Sequence, residues 1–174
     1  STAGEMMLTV LSSVAQAEAE AVSSNLKWGI RRRFETGTFQ PPTALGYDYD
    51  GTGQLVINEA EAATVRLSFR SYLDGMGCGA IAKMLNERNI KGKNGTVIRE
   101  GGVRYILKNQ LYIGDLLYQK TFTTELPEKK RKTNRGEMQM YLIINDHEPI
   151  ITKEDFAKAK EIIARRGKTL QNGR

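Results

Sequence analysis

The residues with chemistry to offer are cations. Arg31, Arg32 and Arg33 stand in a row just after Lys27. Arg99, Arg104 and Lys108 lie close to Asn94 and Thr96, and Lys129, Lys130, Arg131, Lys132 and Arg135 crowd one polar stretch. Guanidinium groups bind paired phosphate oxygens as a fork, and Arg, Lys and Asn side chains match base edges in the major groove. The totals agree: 26 Lys and Arg against 20 Asp and Glu leave a net charge of +6 and a pI near 9.4, which favours a polyanionic partner, nucleic acid first. Other chemistry is poorly supplied. Cys78 and His147 are the single cysteine and histidine, whereas a zinc ribbon needs about four such ligands. No metal or cofactor site is expected, and no internal disulfide. The longest uncharged stretch, Met6 to Ala17, is far shorter than the roughly 20 apolar residues of a membrane span. The N-terminus STAGEMM lacks a basic start and a small-residue cleavage site, so a cytoplasmic protein is expected.

These cations need elements to hold them. From about Thr2 to Glu35, Met7, Leu11, Val14, Ala21 or Val22, Leu26 and Ile30 recur at three- and four-residue intervals, which predicts one long amphipathic helix. Its stripe is thin and alanine-rich, suited to close packing on another helix, so self-association or docking on a further domain is expected. Its C-terminal end carries the arginines. A helix end favours cations through the macrodipole by about 0.3 to 1 kcal/mol, but three consecutive arginines point in three directions and a dipole uses one or two. Phosphate contact is therefore the expectation for Lys27, Arg31, Arg32 and Arg33.

The prolines of FQPP, residues 39–42, forbid helix. Tyr47 and Tyr49 before Asp50-Gly51, with Leu55 and Ile57 after, predict a hairpin. Asn58 with Glu61 caps a helix whose Ala62, Val65, Phe69, Tyr72 and Leu73 share a face, ending near Gly75. After the GMGCG turn a second helix is expected from about Ala80 to Glu87, a helix-turn-helix pattern. A third starts around Gly101 or Gly102, with Val103, Ile106 and Leu107 inward and Arg104, Tyr105 and Lys108 outward. Residues 111–124 alternate as a strand, 125–137 read as a basic loop, and Met138 to Ile144 forms the strand's partner. Thr152 with Asp155 caps a last helix through Phe156, Ala159, Ile162 and Ile163. The fold class is α+β, predominantly helical: a long N-terminal helix, then a helix-turn-helix-like domain with a β-hairpin and a small antiparallel strand pair.

The order GYDYD, INEAEAATVRLSFRSYLDG, IAKMLNERNI, VRYILKNQLYIGDLLY and HEPIITKEDF resembles the recombinase domain of large serine recombinases. Its most specific parts are the IA..LN turn at 81–86, the run from Val103 to Gly114, and the run beginning at His147. The resemblance covers almost the whole chain. It implies site-specific recombination of a mobile element. Family members cut DNA with a serine in an N-terminal domain, forming a phosphoserine link, a form of covalent catalysis. Ser1, Ser12, Ser13, Ser23, Ser24, Ser68 and Ser71 do not match that nucleophile motif, so no catalytic residue is expected here. The stretch GEMMLTVLSSVAQAEAE looks like the long helix leaving the catalytic domain. The implied division is a connector helix, 1–36, a DNA-binding domain, 37–150, and a C-terminal helix, 151–174, leading toward a zinc ribbon. Many members have tryptophan at Ile98, Ser or Thr at Gly77, hydroxyl residues near Gly101 and Gly102, and proline at Gln110.

Double-stranded attachment-site DNA is thus the expected ligand. A solvated surface is the ordinary fate of exposed polar residues, and it is helix-turn-helix placement that points Asn94, Thr96, Arg99, Arg104 and Lys108 at DNA, with Lys130 and Arg131 ordering on it. Two other classes fit the same features: a helix-turn-helix transcriptional regulator dimerising through its N-terminal helix, and a protein-interaction module built on that helix. A serine-nuclease domain encoded upstream would separate the first reading from the second, and DNA binding by the chain would disfavour the third. His147 before Glu148-Pro149 reads as a turn residue rather than a catalytic one, and Cys78 as a small residue in a turn.

Overall fold

The computed structural model describes residues 2–40, 42–124 and 130–172; Pro41, Pro127 and Lys129 lie outside them. The chain divides into two compact units, residues 1–40 and 41–174.

The first unit is α1 (Thr2–Glu35) and the turn after it. With no helix breaker but glycine along this length, a single helix of about 50 Å forms, as expected. Among its residues Phe34 is buried, packed edge-on against Phe39 at 4.9 Å between centroids. Met7, Leu11, Val14, Val22 and Leu26 are all more than half exposed. Gly37 turns the chain at φ +68°.

The second unit opens with the expected hairpin, β1 (Tyr47–Tyr49) and β2 (Leu55–Ile57), pairing Tyr47 with Ile57 and Tyr49 with Leu55. The Asp50 carboxylate organises its turn, accepting from Thr52 N, Thr52 Oγ1 and Gln54 N at 2.7 to 2.9 Å. Asn58 caps α2 (Glu59–Leu73) by accepting from Glu61 N. α3 runs Cys78–Glu87, two residues earlier than expected, because extended Gly77 serves as the N-cap and its carbonyl accepts from Ile81 N at 3.0 Å. Cys78 is consequently the first residue of a helix, not a turn residue. α4 is Glu100–Lys108, also early, because Arg99 takes the cap position and its carbonyl accepts from Val103 N at 3.1 Å. The link from α3 to α4, residues 88–99, holds a single 3-10 turn at Lys93–Gly95.

The expected strand over 111–124 is instead three pieces. A 3-10 turn, Gln110–Ile113, is followed by β3 (Leu116–Tyr118) and β4 (Thr121–Thr123). Gly114 at φ +86° and Gln119 at φ +60° break the extended run. β3 pairs with β6 (Tyr141–Ile143), as expected. β4 pairs with β5 (Arg131–Thr133), which corrects the reading of 125–137 as a loop throughout. α5 (Lys153–Asn172) packs on α2 and α4, with Thr152 Oγ1 accepting from Asp155 N at 3.2 Å.

The core lies where α2, α3, α4 and α5 meet. The inward faces of α2, α3 and α4 are those expected, with Leu73 less covered than Phe69 and Tyr72, and Phe156 and Ala159 buried from α5. Phe69 meets Tyr112 at 6.5 Å and Phe156 at 6.3 Å. Arg166 ties α5 to the end of α2, donating to Gly75 O at 2.8 Å and Met76 O at 3.1 Å with its guanidinium over Tyr72.

Candidate nucleic-acid interface

α4 is the centre of the candidate site. Val103, Ile106 and Leu107 drive one of its faces into the core, each 5 % exposed or less. At 3.6 residues per turn the opposite face carries Gly101, Arg104, Tyr105 and Lys108, and all four are exposed, Tyr105 by 60 %. Arg104 reaches back to Glu100 at 2.6 Å. Exposed ion pairs of this kind are worth at most about 1 kcal/mol, so this one costs little to exchange for another anion. Neither Arg99 nor Lys108 has a hydrogen-bond or ion-pair partner for its side chain among the described residues.

Before α4 the chain is held on both sides. Ile98 is buried and its carbonyl accepts from Asn86 Nδ2 at 2.7 Å, so its neighbours Val97 and Arg99 face outward. Asn94 takes φ +57°, and Asn94 and Thr96 are exposed. Lys93 does the opposite. Its ammonium donates to Tyr47 O at 2.9 Å, Asp48 Oδ1 at 2.6 Å and Glu61 Oε2 at 2.8 Å, clasping the link to the hairpin and α2. Burial opposes the Lys93 charge, yet the two carboxylates outweigh it and raise its pKa. The same contact holds Asp48 below the ordinary carboxylate range. Sequence reasoning missed this clasp because Lys93, Asp48 and Glu61 share no spacing pattern.

Lys130 and Arg131 belong to the β4–β5 ribbon and its approach, not to a loop. The ribbon is rooted at the C-terminal end of α4, where Lys120 Nζ donates to Asn109 Oδ1 at 3.1 Å and Asn134 N to Lys120 O at 2.8 Å. Burial lowers the Lys120 pKa. Asn94, Thr96, Arg99, Arg104 and Lys108 are therefore brought onto α4 and its approach, with the ribbon leaving from the far end.

Lys27, Arg31, Arg32 and Arg33 lie in the first unit, all exposed. Arg32 pairs with Glu35 at 3.6 Å and lies over Trp28, and Arg33 lies over Phe39. Arg31 has no protein partner among the described residues.

His147 is structural. Its Nε2 donates to Leu111 O at 2.7 Å, its side chain is 1 % exposed, and its ring meets Tyr47 edge-on at 4.8 Å. No group of three or more His, Cys, Asp or Glu able to hold a metal occurs among the described residues, and no described helix is long and apolar enough to cross a membrane.

A model of the Recombinase family matches residues 59–166, more than half of the chain. The chain belongs to the Recombinase family. Solved structures place the recombinase fold among large serine recombinases. One, from work on the sequence requirements of the Listeria innocua prophage attP site, is 26% identical with a TM-score of 0.58, covering 82% of this chain and 52% of that one. Another, a crystal structure of an LSR-DNA complex, is 25% identical with a TM-score of 0.57, covering 82% of this chain and 38% of that one. This recombinase chain thus spans about half or less of the proteins it matches.

The recombinase fold also explains the motifs. The runs beginning at Val103 and at His147 meet in space: Tyr112 O accepts from both Ile150 N and Ile151 N, and Gly114 O accepts at 2.8 Å from the N–H of Asp146, the residue just before the second run.

Proposed function

We propose that this chain binds the attachment-site duplex of a site-specific serine recombinase, positioning DNA for integration or excision chemistry performed by a serine elsewhere in the full protein. The observation that carries this reading is the outward face of α4, where two cations flank an exposed tyrosine on a helix whose other face is fully committed to the core. Such a helix fits the major groove. Arg104, Lys108, Arg99, Asn94 and Thr96 contact bases or adjacent phosphates there, Lys130 and Arg131 reach the DNA from the ribbon, and Lys27 and Arg31 to Arg33 neutralise phosphates along α1. The uncovered apolar residues of α1 serve self-association in the full-length protein. The test is fluorescence anisotropy with labelled duplex over a salt series. Affinity falls linearly on a log-log plot, with a slope near −0.9 per phosphate contacted; absence of binding at low salt would sink the reading.

Gly101 and Gly102 supply a sharper check. A Cβ at Gly101 meets nothing within 4 Å, and one at Gly102 meets only Ile98 Cγ2 at an ordinary 3.8 Å. The fold does not require either glycine, and alanine would favour the helix by up to about 1 kcal/mol at each. A base edge approaching the first turn of α4 does require the space. Gly101→Ala with Gly102→Ala is expected to raise the melting temperature while weakening binding to specific duplex several-fold. Tighter or unchanged binding in the more stable variant would place the DNA elsewhere.

A further inference from the structure

Resting on the DNA-binding reading, we infer that the β4–β5 ribbon is a second, preformed DNA-contacting element whose reading face is Thr121, Thr123, Arg131 and Thr133. The pairing Thr121 with Thr133 and Thr123 with Arg131 puts these four side chains on one face of the ribbon, because successive side chains alternate and directly opposed ones point the same way. The other face carries Phe122 opposite Lys132. All three residues of β5 are exposed, so nothing else among the described residues covers the ribbon there.

Two features separate this ribbon from a loose basic arm. Its base is pinned by Asn134, which is 6 % exposed: Nδ2 donates to Gln119 O at 2.9 Å and Met138 O at 2.6 Å, and Oδ1 accepts from Gly136 N and Met138 N. Its guanidinium is aimed. Arg131 Nε donates to Thr121 Oγ1 at 3.1 Å across the same face, which occupies the single Nε–H and leaves Nη1 and Nη2, the pair that makes an end-on fork, without a protein partner among the described residues. A pre-oriented pair of donors with hydroxyls around it and, among the described residues, no carboxylate on the face suits a paired acceptor, either guanine O6 and N7 or two phosphate oxygens. A two-stranded ribbon is narrow enough for the major groove.

The experiment uses the whole chain, a duplex enriched by it from a random-sequence pool, and the unselected pool. Arg131→Lys keeps the charge and removes both the Nε anchor and the fork. It is expected to weaken binding roughly five-fold or more at an unchanged salt slope, while Arg131→Ala lowers the slope by about one. Loss confined to the enriched duplex identifies a base edge; equal loss on both identifies phosphate. Thr123→Val and Thr133→Val should weaken binding more than Lys132→Ala on the opposite face. Arg131→Lys binding like the wild type would leave only an unstructured charge and overturn the inference, as would Arg131→Ala with unchanged affinity and slope. A wild-type chain that binds neither DNA overturns the DNA-binding reading itself, and the two failures are thereby distinct. Because Arg131 is exposed, circular dichroism of these variants is expected to match the wild type.

Discussion

Replacing Arg31, Arg32 and Arg33 together with alanine is expected to flatten the salt dependence of DNA binding by two to three phosphate equivalents, roughly 0.9 in slope for each, and to cost on the order of 30-fold in affinity at low salt. The helix itself should survive, since alanine is the best helix former. What the three arginines do within the protein is minor: the Arg32–Glu35 pair is 65%/46% exposed, and Arg32 and Arg33 each lie 6.0 Å from the ring they cover, the outer limit for a useful cation–π interaction. A drop in affinity with the slope intact would mean that α1 acts through its partners and not through phosphates. If neither quantity moves, the arginines serve the helix dipole alone and make no phosphate contact.

Gly114→Ala is expected to be the most damaging glycine-to-alanine substitution in the second unit. At φ +86° any other residue is strained, and a Cβ would lie 2.7 Å from the backbone oxygen of His147. Backbone cannot step aside like the end of a side chain. Relief would require moving the His147 segment, which holds Asp146 N on Gly114 O, the His147 ring on Leu111 O, and Ile150 N and Ile151 N on Tyr112 O. Strain alone costs about 1 to 2 kcal/mol, and disrupting part of this network adds roughly 1 kcal/mol per hydrogen bond, so a destabilisation of about 3 kcal/mol or more is expected. That corresponds to a fall in melting temperature of roughly 10 °C. Gly75→Ala is the matched control: φ is +103° but a Cβ meets nothing within 4 Å, so the strain cost appears without the clash. If the two variants melt together, the closure of 146–151 onto 111–114 contributes little to stability.

Much of this fold is legible in local chemistry. The period of α1, the Asp50 turn, the Asn58 and Thr152 caps, and the inward faces of α2, α3 and α4 depend on residues within a few positions of each other, which is the range over which side-chain spacing and capping act. The departures have a common cause. Gly77 and Arg99 cap their helices by backbone geometry, without a side-chain hydrogen bond, so α3 and α4 begin earlier than side-chain signals suggest. The ribbon reads as a loop in sequence because Arg131, Lys132 and Thr133 show no apolar alternation; their pairing comes from β4 and from the Asn134 clamp.

The candidate interface divides the same way. Its cations can be counted from the sequence, and so can the family motifs that place them in a recombinase domain. Which cations remain available is a tertiary matter. Lys93 sits among the expected contact residues, yet its charge is consumed by Asp48 and Glu61, brought to it from a hairpin and a helix distant in sequence. Arg131, within a polar run, is aimed by a threonine on a neighbouring strand. Composition and helical period determined that this chain carries a positive surface on helices; long-range packing decided which of those charges are held within the protein and which are left facing outward, because burial and pairing depend on neighbours that no local pattern encodes.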